Sequence, residues 1–203
     1  MTVPDDPSEI IPEALTPEQR AELLHDLTGA SSEAERKRLS FIRFLNNRLP
    51  KKRVIGQGLL RSTDGRVLVC QLTYKRDWDL PGGVVDPGES PATCVAREIR
   101  EELGLELTVS GLLAVNWLAP YRGWDDALLC LFDLGTVDAS ITDRAKLLRR
   151  EIRAVHWVDP QDLTDRVAPY TAAMVAEVLA ELSARGEVRT AYIEDSERIR
   201  FGD

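Results

Sequence analysis

Residues Gly82–Leu105 read GGVVDPGESPATCVAREIREELGL, two adjacent glycines followed by a run dense in carboxylates. Ser90-Pro91 has the form of a helix start, a capping hydroxyl with proline in the first turn, and Gly104 supplies the stop. An advance of about 100° per residue from Glu98 puts Glu101 near 300° and Glu102 near 40°, so the three acids share one arc. Ala92, Val95, Ala96, Ile99 and Leu103 fall at roughly 60–160°, an adjoining apolar stripe that must face a core. The acids therefore border the buried face. Like charges three and four residues apart repel by about 0.2–0.5 kcal/mol per pair. Glu101 and Glu102 also stand in the last turn, where the helix dipole disfavours anions by about 0.3–1 kcal/mol. A hard divalent cation shared between carboxylate oxygens removes both penalties. For three acids alone, a solvated glutamate-rich helix face is an equal alternative. Arg97, near 260°, is placed to hold an acid, with Glu89 as its partner, whereas Arg100 falls on the far side.

The complete spacing separates these alternatives. Gly83, five residues, Glu89, seven residues, Arg97-Glu98, an aliphatic residue, any residue, Glu101-Glu102, any residue, Gly104 and an aliphatic residue reproduce the Nudix box, with Ile99 and Leu105 in the aliphatic places. The preceding Trp78-Asp79-Leu80-Pro81-Gly82-Gly83 resembles the run that leads into that box. The chain is identified on these residues as a member of the Nudix hydrolase superfamily. The resemblance implies an α+β fold, an α/β/α sandwich around a mixed sheet, with an N-terminal helical extension outside it. It also implies hydrolysis of a phosphoanhydride in a nucleotide-type small molecule, dependent on Mg²⁺, with Mn²⁺ as a substitute. Carried over position by position, Glu101 and Glu102 are metal ligands, Gly82 offers a backbone carbonyl, and Glu98 is a further ligand or the catalytic base. Arg97 and Glu89 orient that set. Relatives also draw the base from a later loop; Glu151 is the best later candidate, with a purely structural role as its alternative.

Around the box, the chain divides into an arm of two helices (1–50), a catalytic domain (51–185) and a tail or hairpin (186–203). Thr16-Pro17 and Ser32 with Glu35 predict the two helix starts, Gly29 and Pro50 their ends. The arm either covers its own domain or forms a homodimer contact. RVIGQGLLR and RVLVCQLTY predict strands flanking the turn Ser62–Gly65; LTVSGLLAVNWL, DALLCLFDL and AVHWV predict more, and Tyr170–Ala184 a closing helix. GQGLLR lacks the third glycine and the following helix of a dinucleotide loop.

Composition bounds the partners. The 203 residues carry 43% hydrophobic and 30% charged side chains, in the range of globular domains, and a net charge of −8. That balance argues against a nucleic-acid backbone or an anionic membrane as a partner, so positive charge for a phosphate must be local. No apolar run approaches membrane length, and MTVPDDPSEIIPEAL does not resemble a secretory leader. Cys70, Cys94 and Cys130 lack metal-ligand spacing and read as buried thiols of a cytoplasmic protein. His25 and His156 stand alone, against a histidine zinc site.

Substrate choice lies outside the box. NWLAPYRGW, residues 116–124, offers Trp117, Tyr121 and Trp124 to stack on a base and Arg122 for a phosphate, with Arg76 as a second phosphate contact. Trp117 reads equally as core. Pro120 resembles a feature of relatives acting on ADP-ribose, and Tyr121 one of relatives acting on dinucleoside polyphosphates. A nucleoside diphosphate linked to another group, of ADP-ribose or sugar-nucleotide type, is slightly favoured. A sanitising nucleoside triphosphate pyrophosphohydrolase is the alternative, and a non-catalytic nucleotide sensor is disfavoured because every box acid is present.

Overall fold

A computed structural model describes residues 33–185, 190–194 and 197–198, together with Pro17 and Ala21, both helical. The chain forms two compact units, Met1–Lys51 and Lys52–Asp203. The first contains helix α1, Glu33–Arg48. It begins one residue after the predicted Ser32 cap and ends short of Pro50, which cannot continue a helix. The predicted helix between Thr16 and Gly29 lies outside the described residues except at Pro17 and Ala21.

The second unit is built on a mixed eight-stranded sheet in the order β6-β2-β1-β5-β4-β7-β8, with β3 paired to β1 beside that path. Its strands are β1 Arg53–Ser62, β2 Val67–Leu72, β3 Gly82–Val84, β4 Gly111–Leu118, β5 Ala127–Val137, β6 Ile152–Val158, β7 Ala191–Glu194 and β8 Glu197–Arg198. Helix α2, Pro91–Leu103, follows β3, and helix α3, Pro169–Arg185, follows β6. Thus the strands, the central acidic helix and the closing helix stand where the sequence patterns put them. The run LTVSGLLAVNWL is strand only from Gly111 onward.

Strand β1 shows why the sheet carries two cores. It lies in the middle, parallel to β5, so both of its faces are covered and successive residues serve opposite layers. Leu59 joins the cluster of Val67, Val69, Leu129, Met174, Val175 and Val178 under α3. Leu60 joins Leu68, Cys70, Val95, Ile99, Leu103 and Ile152 under α2. The result is an α/β/α sandwich. Val95, Ile99 and Leu103 are fully buried, as the apolar stripe requires, whereas Ala96, at the outer margin of that stripe, is exposed.

One irregularity makes room for a site. Strand β1 pairs with β2 only at Arg61 and Val67, near their connecting turn. Further along, Ile55, Gly56 and Gln57 take β3 as the antiparallel partner instead. Gly82 adopts φ 138°, and a Cβ there would collide with the Gly56 carbonyl oxygen. Only glycine lets the two backbones approach this closely. A Cβ on Gly83 would strike the Glu98 carboxylate, so β3 is wedged between the central strand and the acidic helix.

Candidate active site

Helix α2 is closed at both ends by the predicted residues. The Ser90 hydroxyl accepts from the Thr93 N–H (3.2 Å), Pro91 occupies the first turn, and Gly104 takes the left-handed conformation at φ 64°. Beyond Gly104 the loop returns to the helix end: Lys146 N–H donates to Leu103 O (2.7 Å) and Leu148 N–H to Glu102 O (2.9 Å). These bonds satisfy carbonyls that a helix terminus otherwise leaves unpaired. They also carry the following residues, up to Glu151, alongside the acids.

The four box carboxylates are graded in exposure. Glu102 is 4% exposed as a residue, while the side chains of Glu89, Glu98 and Glu101 are 12%, 14% and 51% exposed. On the helix itself the grading follows the angle from the apolar stripe: Glu102 is nearest, Glu101 farthest. Arg97 gathers the others. Its Nε donates to Glu89 Oε1 (2.9 Å) and its Nη2 to Glu89 Oε2 (3.0 Å), a two-pronged pair. Its Nη1 donates to Glu98 Oε1 (2.9 Å) and Glu101 Oε2 (3.2 Å). The guanidinium bonds hold Glu89 below the usual carboxylate range. Glu98 is raised, mainly by burial, with Arg97 opposing.

Glu102 is the anomaly. Burial first, and then the charges of Glu98, Glu151 and Asp79, push its carboxyl up to about 8 against a single opposing contact, the Gly82 N–H at 3.4 Å. Glu151 is therefore near enough to act on both Glu98 and Glu102 through its charge. Its own side chain pairs with Arg150 at 2.9 Å. Among the described residues, no three carboxylate, thiol or imidazole side chains converge as they stand on one ion. The reason is visible in Arg97, which draws three of the acids to itself. The donor set nevertheless suits a hard cation. It is all oxygen, Glu102 is buried with one long hydrogen bond, and the half-exposed Glu101 can swing away from Arg97.

On the other side of β3 lies a cavity of about 280 Å³, and Gly82, Gly83 and Val84 form part of its wall. Of the residues expected to meet substrate, Arg76, Tyr121, Arg122 and Trp124 line it. Trp117 does not: it precedes Leu118, which does, and successive strand residues face opposite sides of the sheet. The segment Tyr121–Trp124 is a tight hairpin turn, with reciprocal backbone bonds of 3.0 and 2.9 Å between its ends. Arg122 takes φ 48° and Gly123 φ 87°, the paired positive angles of a two-residue hairpin loop. Arg122 is committed to Asp77 at 3.0 Å, which ties this turn to the loop after β2.

Several lining residues were not singled out from sequence. Tyr74 stands where cavity and acids meet, its phenol pushed up to about 12 by partial burial and then by Glu102, Asp79, Glu151 and Glu98. Tyr170 meets Tyr121 edge to face at 5.6 Å. Arg53 lies over the Trp124 ring at 5.1 Å. Trp78 stacks on His156 at 4.2 Å, with Arg166 over the same indole at 5.1 Å. Gln57 and Asp79 form a buried pair at 2.6 Å. Gln57 had left a trace in the sequence, a polar residue in the inward alternation Ile55-Gln57-Leu59.

A carboxylate-rich helix thus stands against a small, aromatic-walled cavity, and comparison with known proteins identifies the class. A family model described as NUDIX domain matches residues 52–181. The chain belongs to the Nudix hydrolase superfamily. It is 29% identical over 122 residues to a MutT-like protein of Streptomyces ambofaciens, covering 60% of this chain and 73% of the relative. It is 31% identical over 119 residues to the nucleoside triphosphatase NudI of Escherichia fergusonii, covering 51% and 80%. Among solved structures, the MutT protein of Methanosarcina mazei Go1 superposes with a TM-score of 0.56 at 26% identity, covering 66% of this chain and 97% of that one.

Proposed function

We propose that this protein is a divalent-metal-dependent nucleotide pyrophosphohydrolase, taking a nucleoside triphosphate and releasing pyrophosphate and the monophosphate. The observation that carries the reading is the placement of β3. One strand of three residues touches Glu98 and Glu102 on one side and lines the cavity on the other. A nucleoside held in the cavity would run its phosphates over Gly82-Gly83 to the carboxylates. At about 280 Å³ the cavity is at the small end for ligand pockets, suited to one nucleoside rather than two.

In this reading Glu101 and Glu102 would hold the ion, with the Gly82 carbonyl, leaving Glu98 as the base, and Arg97 and Glu89 would set their positions. Mg²⁺ is the first candidate and Mn²⁺ a substitute; when bound, such an ion neutralises phosphate oxygens and acidifies water. The water oxygen bonds to phosphorus, the anhydride P–O bond breaks, and a carboxylate takes the proton. Glu98, pressed against Gly83, is the leading base, and Glu151 the second. Arg76 provides local positive charge on the cavity side, which an acidic chain must supply to hold a phosphate, whereas Lys75 is paired with Asp79 at 3.1 Å. Among the described residues no helix is long and apolar enough to cross a membrane.

The sequence alone slightly favours a nucleoside diphosphate linked to another group; the relatives' names turn the preference to triphosphates. Both share the same scissile bond. Incubation of the full chain with nucleoside triphosphates, ADP-ribose and sugar nucleotides in Mg²⁺ or Mn²⁺, with products resolved by chromatography, separates them. Pyrophosphate with a monophosphate is expected. Two monophosphate products from ADP-ribose alone would move the assignment to that class, and no turnover across the panel would overturn it.

A further inference from the structure

The turn at residues 148–151 brings an exposed guanidinium to the edge of the acids. Within it, the Glu151 and Ile152 N–H groups donate to Leu148 O at 2.9 and 2.8 Å. Its start is tied to the end of α2, where Leu148 N–H donates to Glu102 O. Its end is tied to the residue after β2: Thr73 N–H donates to Glu151 O (2.9 Å) and Thr73 Oγ1 to Arg150 O (2.8 Å). Tyr74, the next residue, is part of the cavity wall. The main chain of Arg150 is therefore fixed between the acidic helix and the cavity. Its side chain is not fixed: it is 78% exposed, and its Nε donates to the neighbouring Glu151 Oε1 at 2.9 Å. An exposed pair of this kind is weak and readily exchanged. Glu151 acts through its charge on Glu98, Glu102 and Tyr74, so the guanidinium on its carboxylate borders the space those groups share.

We propose that Arg150 is a phosphate-binding residue, which leaves Glu151 and takes oxygens of the substrate's polyphosphate on its paired N–H groups. This rests on the phosphates reaching the carboxylates, as in the proposed function. The need is electrostatic. A triphosphate set among these acids requires more positive charge than one divalent ion and Arg76 bring. Other cations nearby are committed: Arg97 to Glu89, Glu98 and Glu101, Arg122 to Asp77, and Lys75 to Asp79. Arg149 donates to the Arg153 carbonyl. Arg150 has the looser tie, an exposed bond to its own neighbour. A planar guanidinium takes two phosphate oxygens at once, and a polyphosphate carries more charge than the single carboxylate it replaces. The exchange therefore runs toward the substrate.

The test measures equilibrium binding of ATP and AMP to the intact protein in Ca²⁺, with turnover in Mg²⁺ alongside. Arg150→Ala is expected to weaken ATP by about tenfold and AMP by less than about threefold. The fall in kcat/KM should match, mostly through KM. Arg150→Lys, which keeps the charge but loses the planar fork, should lie between, and Arg149→Ala should bind as the wild type does. Glu151→Gln separates contact from mere support. It frees Arg150, so ATP should bind at least as tightly as to the wild type; an Arg150 that only held Glu151 in place would make both variants weak alike. Arg150 is exposed, so its variants should fold, with Tm as the check. Wild-type ATP affinity in Arg150→Ala overturns the proposal, as does an equal loss in Glu151→Gln or a wild type that binds ATP no better than AMP. Absence of turnover with ATP binding dependent on Arg150 would instead sink the hydrolase reading and leave the phosphate contact standing.

Discussion

At Glu102 a single carboxylate sets stability against function. Its pKa is about 8 in the folded protein against 4.5 for an ordinary glutamate. Between those values the native state holds more protons than the unfolded state, so metal-free stability is greatest at low pH within this window and falls as pH rises. Tm of the metal-free protein should therefore drop by several degrees between pH 5.5 and 8, by differential scanning fluorimetry. Mg²⁺ should restore more of it at pH 8 than at pH 5.5. A Tm independent of pH and metal would show that Glu102 meets no cation. Glu102→Gln removes the buried charge, so it should flatten that pH dependence while lowering turnover at least 100-fold. Glu101→Gln should lower turnover similarly with little change in Tm, because its side chain is half exposed. Near-wild-type rates in both variants at matched Mg²⁺ would rule out their role as ligands.

The element that matters most is α2, because its two faces answer to different demands. Val95, Ile99 and Leu103 anchor it to the sheet under complete burial. Ile99→Ala should cost about 2–5 kcal/mol in urea unfolding, the range for a large-to-small change in a packed core. Ser90→Ala should cost about 1 kcal/mol through loss of the cap. An intact stability in both would mean that the helix is held by something else. This much was legible in advance: the cap, the stop, the apolar stripe and the partnership of Arg97 with Glu89 all follow from short-range geometry. That the acids border the buried face was legible too; their grading in exposure, which tracks their angles, emerged only from the structure. Less so was the clasp of Arg97 on Glu98 and Glu101 as well, which depends on rotamers chosen in context. The fate of Arg122 and Trp117 was hidden for a different reason. Arg122 is spoken for by Asp77, from a loop far away in sequence, and Trp117 is turned from the cavity by the pairing register of β4.

For the molecule as a whole, both cores draw their residues from Ile55 to Ile193. We propose that residues 52–203 fold and act without the preceding unit. A chain beginning at Lys51 should keep kcat/KM within about threefold of the full chain and unfold in one cooperative step. Loss of folding on that truncation would make the arm part of the catalytic unit. Sedimentation of both chains separates the two roles open to the arm: a full chain that sediments as a monomer removes the dimer contact and leaves the arm to cover its own domain. The layered architecture itself was open to reading because strand and helix periods, 2 and 3.6, are properties of neighbouring residues. So were the box and the chemistry of its carboxylates, which lie on one helix and the turn before it. The cavity was not. Its walls come from β1, the loop after β2, the hairpin at Tyr121–Trp124 and the start of α3, and its polar floor joins Gln57 to Asp79 across a strand exchange. Which distant side chains meet, and which lose their chosen partner to a nearer ion, is settled only when the sheet registers and the chain closes on itself.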